Sequence, residues 1–398
     1  MYRACSKNMD IREEARNILP EVIKWRRDLH RIPETGFDLL ETVSYIKSVL
    51  ESLGIPFTEQ QGCKCGLVGT IRGSKGGRTV AVRADMDALP MREETGLDFA
   101  SINGNMHACG HDAHMAVLLG VARLLMGHRG ELAGEVKLIF QPAEELGTGA
   151  LKMIESGALD GVDLIVGMHV GALADDPRPG QMLFWRGRMM ACMDRFRITV
   201  HGKGSHGSTP ERSIDPVVAG SQIVTALQTI VSRELSPQEP CVVSVCRFQA
   251  GSAFNIIPDK AELEGTIRAF SNETREYLKK RIGELSEAVA VSMRAEISYE
   301  FDMLPPPVVN DPEVASELYN IAKDLYPDNV TMMKKGIMGG EDFSRYLEKV
   351  QGSFFLLQNP KNQNGELYLN HHPKFDIDES VLDRGIAVMS QYVIKQLR

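Results

Sequence analysis

The stretch HACGHDAHMAVLLGVARLLMG (107–127) joins a cluster of metal-type side chains to the start of an apolar helix. Alone, a Cys in Ala-Cys-Gly reads as a small buried hydrophobe. The His-x-Cys-x-His spacing reverses that reading for Cys109, because thiolate and imidazole together suit a transition metal. Asp112 stands where an N-cap is expected, ahead of an apolar pattern that predicts a helix over Asp112 to Gly127. Strand patterns flank the helix, Arg78 to Ala84 before it and Glu135 to Gln141 after it. Strands alternating with helices argue for an α/β layer with a largely parallel sheet.

Working outward, the same alternation continues in both directions. An amphipathic helix over about Ile11 to His30 leads into the turn signal RIPETG, and a second covers roughly Glu41 to Leu53. Further strands are expected at Gly66 to Ile71 and Leu164 to His169, with a helix over Thr148 to Gly157. From about Arg195 the order changes. Strand, helix, two strands, helix and strand follow between Arg195 and Met303, the βαββαβ order of a ferredoxin-like unit. The triple proline Pro305 to Pro307 marks its exit. The tail adds a strand at Ser353 to Gln358 and a helix over Glu379 to Leu397. Because the tail carries His371, it belongs with the first segment. The expected organisation is a discontinuous catalytic domain (1–194 and 306–398), mainly parallel with helices on both sheet faces, interrupted by an inserted unit (195–305).

Composition narrows the function classes. At 398 residues the chain exceeds what one core usually supports. A hydrophobic share of 43% and a charged share of 25% are those of an ordinary soluble protein. A net charge of −8 argues against nucleic acid or an anionic membrane as partner. No apolar run reaches the roughly eighteen residues of a membrane span, and the first residues lack the apolar stretch of a secretory signal. Met9 is an alternative start to Met1. The seven cysteines form no disulfide framework, so a reducing cytoplasm is expected, with Cys63 and Cys65 as free thiols.

In open α/β sheets, ligands collect outside the carboxyl ends of the strands. Asp85 and Asp87 follow TVAVRA, Glu144 and Glu145 follow VKLIFQ, His169 ends LIVGMH, and the pair His371-His372 follows SFFLLQ and a polar loop. Core packing does not explain metal-type residues from separate segments at one sheet edge. Singly, Glu-Glu is a solvated surface pair and His169 a satisfied strand-end histidine. His107 and His114 read equally as ligands or as supporting groups, and one of His371 and His372 as a ligand. Five ligands exceed the need of one tetrahedral ion, so two ions a few ångströms apart are expected. A Glu beside a ligand Glu reads as the base that activates water there. Asp87, rather than Asp85, is the candidate to accept a hydrogen bond from a ligand imidazole and fix its tautomer.

With these residues in hand, the chain resembles the dinuclear metallopeptidase/amidohydrolase family that includes aminoacylases and carboxypeptidase G-type enzymes. Within it, the chain is similar to the branch of hippurate hydrolases, N-acyl-L-amino-acid amidohydrolases, N-acetyldiaminopimelate deacetylases and auxin-conjugate hydrolases. The resemblance rests on LHRIPETGF (29–37), VRADMDALP (82–90), MHACGHDAHMA (106–116), FQPAEELGTGA (140–150) and GMHV (167–170). It continues through GKGSHGSTPERSIDPV (202–217), FNIIPDKAELEGTIR (254–268), GGEDF (339–343) and HHPKFD (371–376), in order along the whole chain.

The resemblance implies Cys109, His111, Glu145, His169 and His371 as ligands of the two divalent ions, with Glu144 as the base; the donor types suit manganese, zinc, cobalt or nickel, and Asp87, from the imidazole bond expected above, joins the catalytic set. It also implies that His206 donates to the developing oxyanion and that Asn255 and Arg268 hold the substrate's carbonyl or carboxylate. The tail motif usually has Leu before the ligand His, whereas Asn370 stands here. The inserted domain is expected to act as a lid hinged near Asp194 and Pro305, and to pair two subunits. The activity implied is hydrolysis of N-acyl amino acids, and the rival is a dipeptidase or carboxypeptidase on the same centre. A metal-binding scaffold without activity is disfavoured, because binding alone needs no extra carboxylate such as Glu144.

Overall fold

The computed structural model describes residues 10–173, 175, 177–363 and 365–398, so Cys5 and the alternative start Met9 lie outside the described residues. The chain divides into two compact units. The larger runs up to Gly187 and adds Val309–Lys335 and Asp342–Arg398, and the smaller holds Arg188–Val308 with Gly336–Glu341. No helix among the described residues is long and apolar enough to cross a membrane.

Among the described residues, the larger unit is built on an eight-stranded sheet. From edge to edge its strands are Phe57–Glu59, Leu67–Arg72, Ala133–Gln141, Lys75–Asp85, Leu164–Gly171, Gln351–Gln358, Gln181–Trp185 and Val330–Met333. The middle four pair in parallel, as do the last two. The strand Leu67–Arg72 runs antiparallel on one side and Gln181–Trp185 on the other. Strands buried on both faces carry near-continuous apolar runs, which is why LIVGMHVG is legible as a strand. The outer strands Phe57–Glu59 and Val330–Met333 are short and partly exposed, and they carry no such run.

Residue alternation assigns the two faces. Val80, Val82, Val166, Met168 and Phe355 share a core with the helices Ile11–His30, His111–His128, Pro312–Leu325 and Leu382–Gln396. On the opposite face Phe354 stacks on Phe343 with ring centroids 4.7 Å apart. Gly167 lies beneath that stack, where a Cβ would crowd both rings.

Asp112 differs from expectation. Gly110 holds the cap position of His111–His128 with φ 87°, and Asp112 lies inside the first turn. Its carboxylate meets the buried Arg26 guanidinium and His30 Nδ1, both at 2.7 Å. A carboxylate paired with a buried cation is not available to cap amides.

The smaller unit follows βαββαβ order. Its antiparallel sheet runs Cys241–Ala250, Lys260–Ala269, Asp194–His201, Glu296–Asp302, with helices Pro216–Thr229 and Asn272–Ser292. Phe196, Ile198 and Val200 point into a core with Ile223, Leu227, Leu278 and Ile282. Arg195 and Arg197 alternate outward and pair with Asp302 and Glu300. Asp194, expected near a hinge, is fastened inside this unit. Its carboxylate takes two bonds from buried Arg275, both 2.5 Å, and one from Leu304 N at 2.8 Å. That clasp ties the first strand of the unit to its last segment. Removing one partner of a buried ion pair typically costs about 3–5 kcal/mol. Asp194→Ala is therefore expected to destabilise the smaller unit by about that amount, checked by urea denaturation of the full chain; a loss under about 1 kcal/mol would refute the clasp.

Candidate metal centre

Parallel register brings the candidate ligands together. Asp85 pairs with Gln141 and Arg83 with Gly167, so the loops after three strands open at one edge. Gly110 lets the chain turn between Cys109 and His111, and a Cβ there would collide with Val170. Ala143, with φ 56°, turns the chain after Pro142 so that Glu144 and Glu145 face the same space. A non-glycine residue in this region costs energy and persists only where its surroundings enforce it.

Among the described residues of the larger unit, potential ligands meet within 4.8 Å in four groups: Cys109, His111 and His169; Cys109, Glu145 and His371; His111, Glu144 and Glu145; Asp85, His111 and His114. Cys109 Sγ lies 3.3 Å from His169 Nε2, and His371 Nε2 lies 3.4 Å from Glu145 Oε1. His111 Nε2 stands 4.0 Å from both Glu144 Oε2 and Glu145 Oε1. Buried polar atoms are almost always paired. His111 Nε2 and Glu145 Oε1 have no hydrogen-bond partner. An imidazole nitrogen and a carboxylate oxygen turned to one space, with a thiol and two further imidazoles beside them, fit a soft or borderline divalent cation.

The orientation of each imidazole is set by its second nitrogen. His111 Nδ1 donates to the Asp87 carbonyl at 2.7 Å and His169 Nδ1 to the Val170 carbonyl at 2.6 Å, leaving each Nε2 facing inward. Protonation follows from burial and neighbours. Burial, reinforced by the Glu145 carboxylate, pushes the Cys109 thiol up to about 12. Burial disfavours charge on His111, but Asp85 and Cys109 outweigh it and hold its pKa well above the ordinary value. His169 lies well below its ordinary value through burial and the neighbouring His114. Burial would raise Glu145, yet the His371 imidazole 3.4 Å away and the charge of His111 hold it low. Protons thus sit where a divalent cation would replace them.

Several expectations are refined by this geometry. The acceptor for the His111 imidazole is the Asp87 backbone carbonyl, and the nearest Asp87 carboxylate oxygen is 3.7 Å away. That carboxylate is turned instead to two successive amides, Glu144 N at 2.9 Å and Glu145 N at 3.2 Å. It positions the Glu-Glu doublet. His114 supports rather than ligates, since its Nδ1 contacts Asp85 Oδ1 at 2.5 Å and its Nε2 accepts from Val170 N at 2.8 Å. His107 is buried with both ring nitrogens unpartnered, and burial lowers its pKa to about 3. His371 reaches Glu145, whereas His372 stacks on Tyr368 and accepts from Lys374 N.

Asp85 was set aside in the sequence in favour of Asp87 as the imidazole's acceptor. It is fully buried, bound by Arg83 Nη1 at 2.7 Å, and Arg83 also holds Asp342 at 2.9 Å. The signal was present as Arg83-x-Asp85, two charged residues on one face of a buried strand. Within the smaller unit, His206 and Asn255 are brought together, since Gly207 N donates to the Asn255 carbonyl and His206 pairs with Ile256. Arg268 lies apart on its strand, bonded to Thr266 Oγ1 and the Ile267 carbonyl.

A two-unit α/β protein with S, N and O metal-type donors gathered at the edge of a largely parallel sheet is the class that fold and site define. The chain belongs to peptidase family M20/M25/M40, whose model matches residues 81–395. Its relatives include thermostable carboxypeptidase 1 of Saccharolobus solfataricus, 39% identical over 97% of this chain and 99% of the relative. N-acetylcysteine deacetylase of Bacillus subtilis is 40% identical over 93% of this chain and 94% of the relative. A solved Bacillus subtilis structure, described as a dinuclear metal-binding peptidase of family M20, superposes with TM-score 0.83 at 36% identity, covering 96% and 99% of the two chains.

Replacing Asp87 by Ala strands two amide donors, one buried and one half-buried. Asp87→Ala is expected to cost about 1–3 kcal/mol per stranded donor in chemical denaturation of the metal-free protein, whereas a change within about 0.5 kcal/mol would mean the carboxylate does not hold the doublet.

Proposed function

We propose that this chain hydrolyses the amide bond of N-acyl amino acids, releasing a carboxylate and a free amino acid. The reading rests on one arrangement above all. Glu144 is a buried carboxylate beside the candidate ligands, in a group that already has donors enough without it. Cys109, His111, Glu145, His169 and His371 would hold two divalent ions, of manganese, zinc, cobalt or nickel. Bound there, such ions polarise a carbonyl and acidify water. Glu144 takes the proton from the attacking water and returns it to the departing nitrogen. The amide of Glu144 is anchored by Asp87, which steadies the base.

The smaller unit (195–305 as expected from sequence) would act as lid and dimerisation domain. His206 hydrogen-bonds the developing oxyanion, and Asn255 and Arg268 take the substrate's carbonyl and carboxylate. The open edge strand Cys241–Ala250 and exposed Val217, Val218 and Phe248 support pairing of two such units into a homodimer. Six free cysteines among the described residues support a reducing cytoplasm. The deacetylase among the relatives favours small acyl groups, and hippurate-like conjugates belong to the same reaction class. The carboxypeptidase relative favours a second reading, cleavage of peptides at a free carboxyl terminus.

Glu144→Gln is expected to lower kcat by about 10²- to 10⁴-fold while metal content stays at the wild-type level. Undiminished turnover would remove Glu144 as the base, and lost metal would make it a ligand. A panel of N-acetyl, N-benzoyl and dipeptide substrates separates the two readings, and acylase predicts higher kcat/KM for the N-acyl members. With the Cys109 thiol near 12, a thiolate ligand forms only by releasing a proton, so metal affinity should rise with pH. Each proton released adds about tenfold per pH unit, and since His111 is also held protonated, a Cys109→Ser variant should lose the thiol's share of the slope and keep the imidazole's. Competition with a chromophoric chelator across neutral pH measures both.

A further inference from the structure

We infer that Asn370 is a positioning residue that holds three candidate ligand segments in register through one side-chain amide. Asn370 Nδ2 donates to the Cys109 carbonyl at 3.2 Å and to the Val170 carbonyl at 3.3 Å. Its Oδ1 accepts from Ala172 N at 3.1 Å. The side chain thereby joins the Cys109–His111 turn, the strand end after His169, and the loop carrying His371. All three bonds lie within the larger unit.

The Val170 carbonyl gives the arrangement its consequence. It also accepts from His169 Nδ1 at 2.6 Å, the bond that directs His169 Nε2 toward Cys109 Sγ. A carbonyl has two lone pairs, and here one serves the imidazole and the other Asn370. Asn370 therefore fixes the acceptor that orients His169, one bond removed from the candidate ligand. Beside it, His371 N donates to the Ala108 carbonyl at 2.8 Å, so the main chain at 371 is drawn to the same turn. His371 takes a positive φ of 69°, unusual for a residue with a side chain, and bonds on either side hold it there.

Gly171 supplies an independent observation. With φ 130° it has no Cβ, and a Cβ built there would strike both polar atoms of the Asn370 amide. The strand end is thus shaped around this side chain. A leucine at 370, the residue the family resemblance puts there, has similar volume but can make none of the three bonds. Groups that orient ligand imidazoles typically carry 10- to 100-fold in metal affinity.

The inference rests on the proposed ligand set, and the test keeps the two apart. Asn370→Leu and Asn370→Asp are prepared with the wild type, and cobalt(II) is the probe. Affinity is read by chelator competition, the site by the thiolate-to-cobalt charge-transfer band, and the fold by thermal unfolding of the metal-free chain. Asp keeps an oxygen for Ala172 N but has no Nδ2 donor, so both variants should weaken cobalt binding by about tenfold or more. Both should alter the charge-transfer band; Leu, which strands Ala172 N, should lower the metal-free unfolding midpoint, whereas Asp, which keeps that bond, should leave it unchanged. Unchanged affinity in either variant overturns the inference. So does a metal-free midpoint that falls in both, which would make Asn370 a prop of the fold. If Cys109→Ser and His371→Ala also bind cobalt as the wild type does, the ligand set itself fails instead.

Discussion

Parallel hydrogen bonding of Lys75–Asp85 to its two neighbours is the constraint on which the rest of the larger unit depends. Parallel strands end on the same side, so every loop that follows them opens into one crevice. A register shift of one residue would turn Arg83 and Asp85 to the opposite face and dissolve the charged pair beneath the candidate ligands. The apolar alternation of Val80, Val82 and Ala84 forbids that shift, because it would send those side chains out of the helix-covered core.

Charge burial is the second theme. Asp85 and Asp342 are paid for by Arg83, and Asp112 by Arg26, which also approaches Asp376 and Glu379. These networks compensate buried charge within the protein. The candidate ligands behave differently. There the thiol is driven toward its protonated form, one imidazole is driven charged and another neutral, and two polar atoms have no hydrogen-bond partner. Such a cluster gains most from an external cation, which separates it physically from the structural ion pairs below it.

Much of this was legible from residue order. The helix Ile11–His30 and the strand Leu164–Gly171 follow directly from periodicity and apolar runs. The strands Val330–Met333 and Phe57–Glu59 were not legible, because half-buried edges of three or four residues leave no pattern. Asp112 looked like a cap because capping is a local property, and its burial against Arg26, 86 positions earlier in the chain, is not. Asp87 was expected to take a ligand imidazole on its carboxylate, but the division of labour between its carbonyl and its carboxylate depends on where Glu144 and Glu145 arrive.

Residue order by itself determined the alternation of elements, the chemical types gathered at strand ends and the likeness to a family, since each is written in local pattern or in motif. Only the tertiary structure decided which nitrogen of each imidazole faces inward, which carboxylate is structural, and that an asparagine amide ties three candidate-ligand segments together. Those choices turn on distances between segments far apart in the chain, and a hydrogen bond is decided within a few tenths of an ångström.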